Sequence, residues 1–367
     1  MKRLFVLTMA LFLAVGFIGC SGQKEKKEDN GVKVIPKPPK QELSVVSIDK
    51  LHDGLAQDIS PDGKTLLFSW NMGQPDKDPN DEMAPANLLH TMNLADGSVK
   101  KLSNSEIHQG SARYSPDGKN IAFLENVETF FQAYVMENKL DAPKKLIHKS
   151  DEIANSIAWS PDGQTFAVSY FLINKGRIVL YDAQGNEKQS FQQQSGIAIF
   201  PQFLDNNTLL YVSVNRGDNT LKVMALDVTA GTNKPKEFVA GTNFKVSPDK
   251  RSLAYLVNDG DRSQWKIKVN AIDSNLKVGS TLTEASVKDS SVQMAWSPDS
   301  RYLLFSDESN IWAINTKNGE KKQLVSDMRM INHLLWAGDE GIIFTAISKE
   351  DEKKGNYNFN TYLIKLK

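Results

Sequence analysis

The sequence predicts an all-β protein, a seven-bladed β-propeller, from a recurring turn phrase, from the spacing of its copies and from the short strands that flank them. The phrase is Ser-Pro-Asp-Gly after an aromatic or aliphatic residue, as at 159–163. The aspartates of complete and degenerate copies fall at positions 62, 117, 162, 205, 249, 299 and 339. A strand-built repeat of about 40–50 residues is typical of a propeller blade.

Each residue of the phrase suits a tight turn between two strands. Serine opens the turn, proline presets the φ angle of the next position, aspartate bonds back to the backbone, and glycine takes the closing position, where φ is positive. Apolar segments flank the turn, as at 156–159 and 165–170, and two more segments follow in each unit, as at 177–181 and 321–325. Four antiparallel strands of this kind form one blade.

Seven copies of the phrase predict seven blades, and six blades are the alternative because the copies at 203–207 and 336–340 are degenerate. The last unit has three segments and ends with 362–366, whereas 43–48 is a lone strand before the first turn. We therefore expect the N-terminal strand to complete the last blade, which closes the ring and leaves no open edge. The predicted blades are 50–104, 105–149, 150–191, 192–238, 239–283, 284–325, and 326–367 joined by 43–49.

Residues 1–19 have the pattern of a signal peptide. Two basic residues precede an apolar run of about 15 residues, which is short of the ~20 that a membrane-spanning helix needs. Cys20 follows Phe-Ile-Gly, which resembles a bacterial lipobox, so we expect Cys20 to carry lipid; the alternative is a buried free thiol. Cys20 is the only cysteine, which excludes an intramolecular disulfide. Residues 20–42, rich in charge and proline, predict a flexible tether ahead of a propeller domain at 43–367.

The composition separates this chain from nucleic-acid binders. It has 44 basic and 44 acidic residues and no net charge, whereas nucleic-acid-binding domains carry a basic excess. The expected partners are a membrane, through the lipid on Cys20, and a protein or peptide; no nucleic acid is expected, and the chain is expected to be a monomer. The expected location is the extracytoplasmic face of the cell membrane, or the outer membrane if the cell has two membranes.

The tandem phrases resemble the repeats of the TolB-like β-propellers, which also occur in prolyl oligopeptidases and dipeptidyl peptidases. The resemblance covers about residues 43–367 and implies the propeller fold. It also implies a role in protein interactions of the cell envelope, with a peptide or partner domain bound over the central funnel. TolB itself has six blades, which is a second reason for the six-bladed alternative.

Two long insertions are the first candidate site. They occupy 71–87 in blade one and 348–356 in blade seven, which are neighbours in a closed ring, so both lie in one sector of a rim. The first insertion carries four acidic candidates for binding, Asp76, Asp78, Asp81 and Glu82. Their spacing resembles the start of an EF-hand loop. Asp81 and Asn87 stand where that loop needs glycine and glutamate, which favours a solvated loop over a metal site.

Three histidines are the second candidate site. His52, His108 and His333 each come shortly before an innermost strand, so their side chains could reach the funnel. Some propeller lyases of the wider family bind a metal through funnel histidines, and the resemblance extends that alternative to this chain. The offsets from the turn phrase differ and no carboxylate recurs with them, so no metal and no cofactor is predicted. The aromatic residues of the phrase, at 114, 159, 203, 296 and 336, are interpreted as wedges between blades.

No motif supports a hydrolase. The sequence contains no G-x-S-x-G nucleophile elbow, and the serines of the turn phrases have no partner histidine. We therefore predict a protein- or peptide-binding or scaffolding module of the cell envelope, not an enzyme, with no catalytic residues. The alternative is a metal-dependent, lyase-like carbohydrate-active enzyme that uses the propeller funnel.

Overall fold

The computed structural model describes most of the predicted propeller domain. It covers residues 43–72, 86–103, 105–127, 130–148, 152–172, 175–193, 196–215, 217, 220–231, 234–258 and 264–367. Cys20, with the predicted signal peptide and tether, lies outside these residues, and so do Asp76, Asp78, Asp81 and Glu82. Among the residues covered, no helix is long and apolar enough to cross a membrane.

The described chain forms seven sheets of four antiparallel strands, which confirms seven blades and excludes the six-bladed alternative. Blade one contains β2 (Leu55–Ile59), β3 (Thr65–Trp70), β4 (Leu88–Asn93) and β5 (Val99–Lys101). Blade two contains β6 (Gln109–Tyr114), β7 (Asn120–Val127), β8 (Phe130–Glu137) and β9 (Lys145–Leu146). Blade three contains β10 (Ile153–Trp159), β11 (Thr165–Leu172), β12 (Lys175–Asp182) and β13 (Glu187–Gln192). Blade four contains β14 (Ile197–Phe203), β15 (Thr208–Asn215), β16 (Thr220–Asp227) and β17 (Lys236–Ala240). Blade five contains β18 (Thr242–Val246), β19 (Ser252–Asn258), β20 (Trp265–Ile272) and β21 (Val278–Val287). Blade six contains β22 (Met294–Trp296), β23 (Tyr302–Asp307), β24 (Asn310–Asn315) and β25 (Lys321–Val325).

The ring closes through its two ends. Blade seven contains β26 (Met328–Ala337), β27 (Gly341–Ser348), β28 (Asn360–Leu366) and, as its outermost strand, β1 (Val45–Asp53); a short helix, α1 (Lys349–Lys353), lies in its insertion. β1 pairs antiparallel with β28, so that Val45 faces Leu366 and Asp53 faces Asn360. The predicted closure is therefore confirmed. The boundary differs, because β1 continues to Asp53 and blade one begins at Leu55 instead of residue 50.

The turn phrase satisfies its own polar groups. In blade three, Ser160 Oγ donates to Asp162 Oδ1 at 2.6 Å, and the same hydroxyl accepts from Thr165 N at 3.0 Å. The closing residue has positive φ in every complete copy, whether it is glycine (Gly163, 69°) or not (Lys250, 60°). Asp162 N donates to Asn206 Oδ1 of blade four at 3.1 Å, so the turn bonds mainly within its own hairpin, as its residue types predict, and once to the next blade.

The aromatic residue of each phrase packs between blades. The indole N–H of Trp159 donates to Arg113 O of the preceding blade at 3.2 Å, and that of Trp296 donates to Lys245 O at 3.1 Å. Tyr114 belongs to a buried cluster that joins residues of blade one and blade two. This confirms the wedge interpretation.

Candidate functional site

The residue before the aromatic or aliphatic residue that opens the phrase is called here the axial position, and each innermost strand supplies one. In blades one to seven it is Asp58, Arg113, Ala158, Gln202, Lys245, Ala295 and Leu335. The charge of Lys245 in blade five acts on Asp58 in blade one, which lies across the ring. Coupling between blades on opposite sides of the ring indicates that these two charged side chains lie near the propeller axis, whereas Ala158, Ala295 and Leu335 pack in the apolar clusters between blades.

Asp58 is the carboxylate among the axial residues. Its side chain is 3% exposed, and Oδ2 accepts a hydrogen bond from Tyr114 N at 2.9 Å. Burial raises the pKa of Asp58 to about 6, although the neighbouring charge of Arg113 and backbone hydrogen bonds oppose the rise. A carboxylate with a pKa of about 6 is a stronger base than an exposed aspartate and is still ionised at neutral pH.

Two buried cations balance Asp58. The guanidinium of Arg113 donates from Nη1 to Gln57 O at 2.5 Å and to Ala112 O at 2.6 Å. Burial lowers the pKa of Arg113, and the charge of Asp58 opposes this. Lys245 is 3% exposed. Burial and then the charge of Arg113 lower the pKa of Lys245 well below its usual value, so this amine lies closer to its neutral form than a surface lysine does.

His333 joins the same axial group from blade seven. It occupies a β-bulge, where the pairing of β26 with β27 shifts between Asn332 and Leu335, and its φ of 50° is left-handed. Its Nδ1 is buried and has no hydrogen-bond partner among the described residues. Burial, with the charges of Arg113 and Lys245, lowers the pKa of His333 to about 3, so the ring is neutral at physiological pH.

A cavity of about 60 Å³ extends from the axial residues to the face that carries the turn phrases. Asp58, Arg113 and Gln202 contribute the polar part of its wall, and Lys250 lies at its exposed end. The phenolic oxygen of Tyr114, another wall residue, is buried without a hydrogen-bond partner among the described residues. The apolar wall consists of Ile157, Ala158, Trp159, Phe203, Leu204 and Val246.

The predicted site residues are not brought together. His52 lies in β1, with its ring against Phe68 and Trp70 at centroid distances of 5.0 and 4.3 Å. His108 Nδ1 accepts a hydrogen bond from Asn87 N at 3.0 Å. Of the three histidines, only His333 is in the axial group. The cavity opens on the turn-phrase face, opposite to the rim where the sequence placed the insertions, and the four acidic candidates lie outside the described residues.

The axial residues were not predicted, because the prediction relied on residues that recur between the repeats, whereas the axial residues differ from blade to blade. Aligning the repeats on the phrase puts Asp58, Arg113, Gln202 and Lys245 in one column, inside strands and next to an aromatic wedge. Charged residues are depleted from buried strand positions, so their presence in that column is a signal for the central channel. The spacing of the histidines carried no equivalent signal.

Comparison with solved structures finds proteins of similar fold. An oligogalacturonate lyase in complex with manganese has a TM-score of 0.65 at 13% identity, over 89% of this chain and 95% of that one. Oligogalacturonate lyase from Vibrio parahaemolyticus has a TM-score of 0.63 at 12% identity, over 88% and 92%. TolB from Acinetobacter baumannii has a TM-score of 0.49 at 15% identity, over 70% and 62%. By sequence, the chain matches no protein-family model and no curated protein.

These matches correct the predicted function. The prediction of a binding or scaffolding module that is not an enzyme is wrong on this comparison, because two solved structures that match nearly the whole chain are both oligogalacturonate lyases. These two lyases are of the class that the alternative names, a metal-dependent, lyase-like carbohydrate-active enzyme that uses the funnel. At 13% and 12% identity the likeness itself shows the fold, and the activity of this chain is a matter of its own residues.

The axial residues do not fit the metal that accompanies the first of these lyases. Over the part of the chain that the structure describes, no three or more His, Cys, Asp or Glu residues are grouped so as to hold a metal ion. The one axial histidine shares its surroundings with the charges of Arg113 and Lys245. The guanidinium of Arg113, and Lys245 whenever it is protonated, repel a divalent ion in a low-dielectric channel, so no step is assigned to a metal here.

Proposed function

We propose that this protein is a carbohydrate-active enzyme of the lyase type, which cleaves an acidic oligosaccharide at the propeller axis. The observation that carries the proposal is the pairing, in the wall of one cavity, of a basic buried carboxylate, Asp58, with a buried guanidinium, Arg113. Perturbed ionisable groups that share a cavity are characteristic of active sites. The likeness to the oligogalacturonate lyases suggests the class of substrate.

The two residues suit the chemistry of elimination from a uronic acid. A carbon–hydrogen bond next to a carboxylate becomes more acidic when a cation neutralises that carboxylate, which is the role of Arg113. Asp58 then accepts the proton, the bond between the neighbouring carbon and the glycosidic oxygen breaks, and its electron pair leaves with the oxygen. The products are an unsaturated sugar and, after protonation of that oxygen, a free hydroxyl group.

The other axial groups support these roles. Lys245, when it is protonated, adds a second positive charge, which offsets the repulsion between a substrate carboxylate and Asp58. His333, with a pKa of about 3, is too weak a base to take the proton itself. Asp58 Oδ2 is held by Tyr114 N, which fixes the direction of its second oxygen.

The test is a turnover assay with purified protein and oligogalacturonates, followed by the ultraviolet absorbance of the new carbon–carbon double bond. Asp58→Asn keeps an acceptor for Tyr114 N but cannot take a proton, so we expect kcat/KM to fall by about 10²–10⁴. In the wild-type protein, activity should rise with pH through about 6, because Asp58 must be ionised to act as a base.

Glu125→Gln is the matched control. Glu125 is another fully buried carboxylate, but it lies in blade two with Lys144 as its partner, at 2.6 Å, and does not line the cavity. Its replacement should leave kcat/KM within a few-fold of wild type. An inactive wild-type protein on galacturonate, glucuronate and mannuronate oligosaccharides, or equal losses in the two variants, would count against the proposal.

We further propose that Cys20 carries the lipid that its lipobox-like context predicts, which would hold the enzyme at a membrane surface. Cys20→Ser should move the protein from the membrane fraction to the soluble fraction of lysed cells without changing its specific activity. Retention of the variant in the membrane fraction after a high-salt wash would contradict the anchor.

A further inference from the structure

The axial cavity has the chemistry of an anion site. Arg113 and Tyr114, which carry hydrogen-bond donors, are among its lining residues together with Ser247 and Lys250, and Asp58 is the only carboxylate among them. Tyr114 is 4% exposed, and its phenolic oxygen has no hydrogen-bond partner among the described residues. A buried hydroxyl without a partner loses free energy that a bound acceptor would restore.

The size of the cavity limits what it holds. A cavity needs about 10–15 Å³ to hold one water molecule. The ≈60 Å³ available therefore holds a carboxylate group or a few waters but not a sugar ring. The surrounding wall is apolar, with Ile157, Phe203 and Val246 among its residues. An anion in such a wall interacts strongly with nearby cations, because the local dielectric constant is low.

The charges of the axial group also favour an anion over a metal cation. Arg113 and Lys245 face a single carboxylate, Asp58, and His333 is neutral. An incoming anion would therefore find one cation in excess when Lys245 is protonated, whereas a divalent metal would find two cations and one carboxylate. The donor set that a manganese ion would need is absent from the described residues.

We propose that the axial cavity binds one carboxylate group of an anionic ligand directly through Arg113 and Tyr114, without a metal ion, and that this group enters from the turn-phrase face. The proposal rests on the proposed function only for the suggestion that the ligand is a uronate. It differs from a metal-bridged site in that all of the positive charge comes from side chains of this chain.

The experiment is calorimetric titration of the purified protein with galacturonate, with galactose as the neutral counterpart and acetate as the isolated carboxylate. We expect galacturonate to bind with the same affinity in EDTA and in added Mn²⁺, and galactose to bind at least tenfold more weakly. Tyr114→Phe removes one oxygen and keeps the aromatic wedge, and it should weaken galacturonate binding about fivefold.

Tyr211→Phe is the control, because Tyr211 is equally buried at 4% exposure but does not line the cavity. It should bind galacturonate as the wild type does. Loss of binding in EDTA with recovery in Mn²⁺ would overturn the proposal, as would equal binding of galactose, unchanged binding in Tyr114→Phe, or no binding of galacturonate and acetate. Metal-free binding without any turnover of oligogalacturonates would contradict the proposed enzymatic function and would still support this anion site.

Discussion

The turn phrase and the axial position are two residues apart in every blade, yet they follow opposite rules. The phrase repeats: in five blades its serine donates to its aspartate at the same distance of 2.6 Å. The axial position varies from aspartate through arginine, glutamine and lysine to alanine and leucine. The repeated residues bond within their own turn, and under the proposed function the varying ones carry the chemistry. Four predictions test that division.

The largest expected effect on stability is among the axial residues. Arg113→Met leaves the Asp58 carboxylate buried with less compensation, and breaking a buried pair in this way costs about 3 kcal/mol of unfolding free energy. Adding Asp58→Asn should recover most of that loss, because the unpaired charge is then gone. Urea unfolding of the wild type, both single variants and the double variant measures the coupling.

Arg177→Met provides the comparison outside the axis. Arg177 donates from Nε to Glu152 at 2.9 Å, and both side chains are about one-fifth exposed, so solvent screens the pair and its loss should cost about 1 kcal/mol. If Arg113→Met and Asp58→Asn prove additive, the axial charges are not a coupled group, and the contrast with the turn phrase loses its energetic basis.

The second prediction concerns pH. His333 has a folded pKa of about 3, below the unfolded value of about 6.5, so its contribution to stability is complete above pH 6.5 and is lost as pH falls towards 3. Between pH 7 and pH 5 this loss is about 2 kcal/mol. Asp58 acts in the opposite direction, because its folded pKa of about 6 exceeds the unfolded value of about 3.9, so its proton uptake stabilises the fold as pH falls from 6 to 4.

Two variants separate these contributions. His333→Asn should make stability less sensitive to acid, and asparagine suits the left-handed backbone at this bulge. Asp58→Asn should make stability more sensitive to acid. Urea midpoints at pH 7 and pH 5 give the difference for each protein. Parallel pH dependence in all three proteins would contradict the assignment of both groups to the buried axis.

The third prediction concerns the turn phrase. Asp162→Ala removes the acceptor for Ser160 Oγ and for Gln164 N, at 2.6 and 3.0 Å, and should cost about 1 kcal/mol because the site is exposed and water replaces part of the bonding. Its kcat/KM should not change. Asp58→Asn should have the opposite effect: the variant loses activity but keeps its folding stability at neutral pH. A fall in activity in Asp162→Ala that exceeds its loss of folded protein would contradict the separation of structural turn residues from functional axial residues.

The fold was predictable from the sequence because each blade repeats the same local pattern of a turn phrase with flanking strands. The phrase, its spacing and the unpaired segments at 43–48 and 362–366 are all local patterns, and they were enough for seven blades and for closure. The blade boundaries were less exact: β21 runs to Val287, past the predicted end of blade five at 283, and β1 is longer than predicted. It continues to Asp53 because Gly54, with φ of 103° and its N–H bonded to Phe359 O at 2.8 Å, makes the turn into blade one within a single residue.

The site was less predictable because it is assembled across the ring. Asp58 and Lys245 meet at the axis although they are in blades one and five, and no local pattern links them. His333 was identified as a candidate, but for an approach to a metal rather than for its place beside two cations. Charge within a column of aligned repeats is the information that would have connected these residues.

The smallest expected effect on stability concerns the closing residue of the turn, where two blades have a residue other than glycine. Lys250 and Ser300 replace the glycine of the phrase and have left-handed φ angles of 60° and 59°. Lys250→Gly removes this strain and should stabilise the fold by about 0.5 kcal/mol, after the larger chain entropy of unfolded glycine is deducted. Ser300→Gly gains the same relief but loses the hydrogen bond that Ser300 Oγ accepts from Asp249 N at 3.1 Å, so its net effect should be close to zero. Urea midpoints measured side by side resolve the difference, with Gly163→Ala as the reverse change at the same turn position. If Lys250→Gly destabilises the protein, the closing position is selected for its side chain and not for its backbone, and the phrase would then carry function as well as structure.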